Sequence, residues 1–429
     1  MTWSEDTVGA LSETFDGTYL TPGVVTAAAC IDEAGTAIAA SPGVAPADGR
    51  FEIGSVTKTM TATLLALLAA DGTLALDDEV GRWLPAGQNG AITLRQLATH
   101  TSGLPRLAPN HSEERTDPAN PYALFGPGQA EEGLRQAVLT PGHPHLYSNF
   151  GFQLLGLVLE RASGLTYQEL LSQRLLEPLA MTCSGTAGSG GGTPLPGHGY
   201  GGEVPHWDQL LPGLGGIEAT IGDMARYAQA CLQPPQDPLG AAIAAAQAPQ
   251  LPAGNGMRQA LAWGVLDGGI SMHSGGTGGF TSTIVIDPGR ARAIVMLAST
   301  GDTWPLGHAA FLALTGGDPR EARPKPAGPE WDDRAREVIA LLLDGRGADV
   351  RARMTAAFQG QVSAEQVDQG WREATGGLGP VAEVRVDCQR WPAAYIVADV
   401  TITFASGIRA GQLHFGPSGQ IAGLRFLPH

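Results

Sequence analysis

The chain has 429 residues, 43% of them hydrophobic, enough for two or three domains with substantial cores. A formal net charge of −16 repels phosphate backbones and anionic lipid, so neither nucleic acid nor a membrane surface is an expected partner. The first residues lack a basic and apolar leader, and no apolar run reaches the roughly 18 residues that a membrane span requires, so a cytoplasmic protein is expected.

In chain order, residues 22–30 and 35–40 read as a hairpin around the turn DEAG. Residues 51–54 lead into Ser55, and SVTKTMTATLLALLAADG reads as a buried helix stopped at Gly72. Residues 73–210 are predicted to be mainly helices and loops. Helices are expected at 148–162 and 166–177, and a glycine-rich loop at 188–202. A further helix at 221–232 is expected to be capped by Asp223. Strand patterns return at 261–265, 269–273, 279–286 and 292–299, followed by a helix at 304–314. Strand-rich ends around a helical middle predict one sheet built from both ends of the segment. Residues 316–330, rich in Pro, Gly and charge, read as a linker. Beyond it, helices at 331–345 and 347–376 and four strand-like runs near 381–387, 394–404, 407–415 and 420–427 predict a small α+β domain.

The chemistry starts at Ser55 and Lys58. At i and i+3 of a helix, hydroxyl and amine share a face. A serine needs a base to act as a nucleophile, and a lysine at the start of an apolar helix is desolvated enough to be one. The chain has only two lysines, Lys58 and Lys325, so this one stands out. Tyr147 and Asn149 follow in HPHLYSNFG: a phenol that can shuttle a proton and an amide that can hold a substrate carbonyl. His273 and Gly275 lie in ISMHSGGTGGFTST, after a strand, where glycine lets a substrate backbone approach. Alone, each of the last two patterns reads as a helix cap or a hairpin turn. His143 and His145 have no carboxylate or cysteine partner in register, so no metal site is predicted, and no cofactor fingerprint is present. Cys30, Cys183, Cys231 and Cys388 form no C-x-x-C pair and are expected to be buried free thiols in a reducing compartment.

In this order and spacing, Ser55–Lys58, Tyr147–Asn149 and His273–Gly275 resemble the three active-site motifs of the serine β-lactamase-related family: class C β-lactamases, D,D-peptidases and related esterases. The stretches FEIGSVTKTMTATLLALL, ITLRQLATHTSGLP, YSNFGFQLLGLVLERASG and GGTGGF are similar too. The resemblance implies an α/β fold of the β-lactamase/transpeptidase type, a mixed sheet flanked by helices with a helical subdomain, over residues 1–315. The linker at 316–330 and a lipocalin-like or cone-like α+β domain at 331–429 would follow. It also implies that Ser55 attacks an acyl group, Lys58 takes its proton, Tyr147 serves the leaving group and Asn149 binds the substrate amide. The oxyanion hole would be the backbone N–H groups of Ser55 and Gly276. His273, Gly275 and Gly276 would line the substrate, with Arg425 a candidate from the C-terminal domain. Where lactamases and peptidases of this family carry lysine, this chain has His273, largely uncharged at neutral pH. That departure resembles esterase, amidase and acyltransferase branches. Within them it points to penicillin-binding-protein-type thioesterases, which take a peptidyl thioester from a carrier protein and cyclise it. An intracellular esterase or a D-amino-acid-specific amidase is the alternative, and a catalytically dead recognition module is a third.

Overall fold

The computed structural model describes residues 3, 5–13, 23–41, 48–111, 120–199, 202–254, 256–301, 306–359, 362–390 and 396–426. Helix α1 (Glu5–Glu13) precedes the hairpin of β1 (Thr26–Asp32) and β2 (Gly35–Ala40). Strand β3 (Gly49–Glu52) runs through one 3-10 turn at Gly54–Val56 into α2 (Thr57–Ala70). The helical middle holds α3 (Leu94–Ala98), α4 (Pro127–Gln136), α5 (Asn149–Ser163) and α6 (Tyr167–Leu171). Short strands follow: β4 (Gly185–Thr186), β5 (Thr193–Pro194), β6 (Gly197–Gly199), β7 (Gly202–Val204) and β8 (Ile217–Ala219). After α7 (Ile221–Leu232) and α8 (Pro238–Gln247) come β9 (Leu251–Gly254), β10 (Met257–Gln259), β11 (Gly264–Val265), β12 (Ser271–Gly276), β13 (Thr281–Asp287), β14 (Arg292–Ala298) and α9 (Leu306–Thr315).

These strands form an eight-stranded sheet in the order β2-β1-β14-β13-β12-β11-β10-β9, each neighbouring pair antiparallel. Thr26 lies opposite Ala298, so the two ends of the segment do meet in one sheet. The parallel pairing is in a small sheet, β4-β8-β3-β5, between β3 and β5. Every residue of β1 and β13 is buried, which requires cover on both faces. Helices α1 and α9 lie against these strands, and so does α7.

Helix α2 is buried from Thr57 to Leu68 and packs on α5 and α8. Its threonines are satisfied internally: Thr61 Oγ1 donates to Gly213 O at 2.7 Å, and Tyr227 donates to Thr59 Oγ1 at 3.0 Å. Two local expectations are corrected. The cap of α7 is Thr220, whose side chain accepts from Asp223 N; Asp223 sits inside the first turn and instead accepts from Cys183 N and Ser184 Oγ. The glycine-rich stretch 188–202 carries β5 and β6 and enters β7, because β3 and β7 offer it ladder partners. All four cysteines are free; Cys183, expected to be buried, is half-exposed.

By its contacts the chain divides at Glu321/Ala322. The second unit has β15 (Lys325–Pro326), α10 (Pro329–Leu343), α11 (Gly347–Ala352), α12 (Ala356–Gln359), α13 (Ala364–Thr375), β16 (Val381–Arg390), β17 (Ile396–Phe404), β18 (Gly407–Phe415) and β19 (Ile421–Phe426). Its strands pair antiparallel in sequence order. Leu342, Trp371, Val400, Ile402 and Phe415 form a core of its own.

Candidate active site

Strand β3 delivers the nucleophile. Ile53 N donates to Ile217 O at 3.0 Å, and the next residues leave the sheet in the 3-10 turn that carries Ser55. Lys58, in the first turn of α2, places Nζ 2.9 Å from Ser55 Oγ and 2.6 Å from Leu214 O. The amine is fully buried, and burial, reinforced by the charge of Arg106, holds its pKa well below the ordinary lysine value. A lysine depressed in this way gives up its proton more readily, which suits it to act as the base for the serine hydroxyl beside it.

Tyr147 approaches from the start of α5. Burial pushes its phenol up to about 12, while the adjacent Ser55 hydroxyl and Arg106 oppose that rise. The phenol therefore keeps its proton at neutral pH rather than ionising beside the lysine. Lys58 Nζ lies 5.1 Å from the Tyr147 ring centre. The burial that lowers Lys58 and raises Tyr147 thus moves both groups toward the distribution that acylation with leaving-group protonation requires.

Asn149 opens α5 behind its cap, Ser148, which accepts from Gly151 N. Asn149 is buried, and its Nδ2 donates to Tyr122 Oη at 3.1 Å. Its Oδ1 is buried with no partner among the described residues, and the second hydrogen of Nδ2 is not engaged by Tyr122, so the amide can still both accept and donate.

His273 lies on β12, its ring 6.4 Å from that of Tyr147. His273 is half-buried, and desolvation in the site, with Lys58 opposing a second positive charge, lowers its pKa to about 4, so the imidazole is neutral at neutral pH. Nδ1 stands 2.7 Å from Ser274 O. A carbonyl only accepts, so the proton is on Nδ1 and Nε2 remains an acceptor.

The glycines of β12 set the closest approach. A Cβ on Gly275 would stand 2.1 Å from Ile53 O and 2.9 Å from Ser55 N, and one on Gly54 would stand 2.6 Å from Gly276 N. The two backbones cross with no room for a side chain, and the amide nitrogens of Ser55 and Gly276 both lie at that crossing. Thr277 N donates to Phe280 O, so by the alternation of an antiparallel ladder Gly276, opposite Thr281, turns its N–H away from β13. β11 pairs with β12 only at Ser271 and Met272, so the edge from His273 to Gly276 has no strand partner among the described residues.

Sequence reasoning missed four contributors: the Leu214 carbonyl, Tyr122, the exposed Arg106 guanidinium 5.3 Å from the Tyr147 ring centre, and His100. ATHTSGLP carried the only signal for His100, as a stretch without an assigned role, and Arg106 follows it directly. Arg425 lies on β19 opposite Gln412, and its side chain is outside the described residues. His145 Nε2 contacts Gln259 Oε1 at 2.9 Å. Among the described residues, one group has metal-ligand geometry: Glu52, His206 and Glu218, with ligand atoms within 4.8 Å of one another. Arg50 already pairs with Glu218 at 3.0 Å and His206 with Glu52 at 2.9 Å. Glu52 raises the pKa of His206, and the four side chains brace one another beside the nucleophile turn.

A nucleophile, a desolvated amine and a protonated phenol beside a close crossing of glycine backbone define a serine acyl-enzyme site. The Beta-lactamase family profile matches residues 16–315, and the chain belongs to that family. The D-alanyl-D-alanine-carboxypeptidase/endopeptidase AmpH of Escherichia coli (strain K12) is 34% identical over 198 residues, 42% of this chain and 49% of AmpH. The chain thus spans about half the length of that relative. A protein of the same organism described as "Beta-lactamase" is 28% identical over 296 residues, 58% of this chain and 75% of the relative. Among solved structures, a class C beta-lactamase matches with a TM-score of 0.63 at 21% identity, covering 72% of this chain and 95% of that one. A beta-lactamase/D-alanine carboxypeptidase from Pseudomonas syringae matches at 0.59 with 19% identity, covering 68% and 93%. At such identities the structural likeness speaks for the fold: the β-lactamase/transpeptidase-like α/β arrangement. No helix among the described residues is long and apolar enough to cross a membrane.

Proposed function

We propose that the chain is a serine hydrolase or acyltransferase working through an ester on Ser55, and that its acyl donor is a peptidyl thioester presented by a carrier protein. Lys58 deprotonates Ser55, the Ser55 and Gly276 amides receive the oxyanion, and Tyr147 protonates the departing group. The peptidyl ester is then resolved by the peptide's own amino terminus, closing a ring, with a D-configured C-terminal residue preferred. One observation carries this choice of donor: His273 stands where the family's lactamases and peptidases carry lysine, and its Nδ1 is taken up by Ser274 O. A β-lactam or a peptide carboxylate needs a cation or a donor there, whereas a thioester does not. The free thiols are in keeping with a cytoplasmic setting.

The test is incubation with a linear peptidyl thioester ending in a D-residue. A product lighter than the linear acid by one water, detected by mass spectrometry, is expected; linear acid alone across a panel of peptides would sink the reading. The similarity to AmpH favours a second reading, hydrolysis of small esters or D-amino amides. Under it, p-nitrophenyl esters turn over rapidly and no ring forms.

A further inference from the structure

His100 sits in ATHTSGLP, ahead of the tyrosine segment in sequence and against it in space. Its carbonyl accepts from Leu146 N at 2.8 Å, and its Nδ1 accepts from Ser148 N at 3.1 Å. The residues on either side of Tyr147 are therefore both held by one residue. The His100 ring lies 4.4 Å from the Tyr147 ring at an interplanar angle of 33°, with Phe152 at 5.1 Å on the same imidazole. Backbone, side-chain acceptor and ring thus fix the tyrosine from three directions.

This arrangement is maintained against local cost. His100 adopts φ 57°, a left-handed conformation uncommon for residues other than glycine. It is 1% exposed. Because Nδ1 accepts, the ring proton is on Nε2, and that buried N–H has no partner among the described residues. A core histidine under no demand from the site would relieve one of these.

We propose that His100 is the positioning residue of Tyr147, holding the phenol at Ser55 through paired hydrogen bonds to its two chain neighbours and through stacking. The role requires the imidazole to stay neutral, since a proton on Nδ1 would remove the Ser148 acceptor. Burial, the largest cause, keeps it so, and the basic groups that face it, Lys58 from α2, His273 from β12, and His145 and Arg106 from the flanking loops, would each repel a proton placed there.

The test rests on the serine acyl-enzyme chemistry but not on the choice of natural substrate. Acylation of Ser55 by a fluorophosphonate and by an activated ester is timed by intact mass in the full chain. His100→Phe keeps the stack and loses the acceptor, and it should slow ester acylation by about 10- to 100-fold, the effect of a misplaced catalytic group. His100→Asn retains an acceptor and tolerates the left-handed backbone, so it should stay within about threefold of the parent. In a Tyr147→Phe background the hydroxyl is gone, and His100→Phe should then change the residual rate little. Wild-type acylation by His100→Phe would overturn the assignment. So would loss of the same factor in the Tyr147→Phe background, which would mean that His100 acts by a route other than the phenol. Absence of Ser55 labelling in the parent would instead condemn the acyl-enzyme reading itself.

Discussion

Lys58 shows at the residue scale how function is taken out of stability. Its amine is desolvated, and its hydrogen bonds run to Ser55 and the Leu214 carbonyl. A lowered folded-state pKa means that the unfolded chain binds the extra proton between that pKa and the ordinary value of 10.5. Stability therefore rises with pH across that window, and the penalty is largest below it. Lys58→Met should lose Ser55 acylation, since no base remains. It should also be more stable than the parent near pH 7, with the difference narrowing toward about pH 10. Denaturant midpoints at the two pH values check this; a variant less stable than the parent at neutral pH would show that the buried amine imposes no net cost. The Ser55–Lys58 pair was legible because its spacing is local and lysine is rare in the chain. The Leu214 acceptor was not, because it lies 156 residues away and is a backbone atom that any residue carries. The tie of Asn149 to Tyr122 was not legible either, since no local pattern links the two residues.

The nucleophile turn and β12 meet at the element scale with no side chain between them. Gly275→Ala would bring a methyl within 2.1 Å of Ile53 O and 2.5 Å of Ser282 Oγ, and Ser282 Oγ itself donates to Ile53 O at 2.7 Å. Backbone cannot yield there without moving Ser55. A loss of about 3 kcal/mol or more in unfolding free energy is expected, with acylation falling further than folding alone explains. Unfolding curves together with intact-mass acylation rates read both; a variant with parental stability and rate would show that the strands can part. Long, strongly patterned elements such as α2, α5, β13 and β14 could be read from the sequence because burial imposes one apolar run or one period on each. Strands of two or three residues, β4 to β8, could not, since a few hydrogen bonds to distant partners define them. The α7 cap was misassigned for a related reason: Thr220 and Asp223 are both capping types, and backbone geometry chose between them.

The whole molecule is two units with separate cores. Ser55, Lys58, Tyr147, Asn149 and His273 all belong to the first. A chain ending at Glu321 is expected to fold and to acylate with p-nitrophenyl esters within about threefold of the full chain, as independent domains do. A large loss would show that the second unit contributes to this chemistry, and Arg425 would then be the first residue to substitute. The sheet shared by both ends of the first unit could be anticipated because strand patterns flank a helical middle and neighbouring strands seek partners. The arrangement of helices within that middle could not, since it depends on packing that no short window records.

The two lysines are divided between the units: Lys58 is sealed in the first, and Lys325 is exposed in the second. An amine-directed acetylating reagent added to the native chain thus meets a single ε-amine at once, at Lys325. Lys58 reacts only when the first unit opens, so its slow modification is a clock for that opening, read at one peptide by mass. Lys325 on the same molecule calibrates the reagent. The scarcity of lysine that marked the catalytic base in the sequence thereby turns that base into a reporter of its own enclosure.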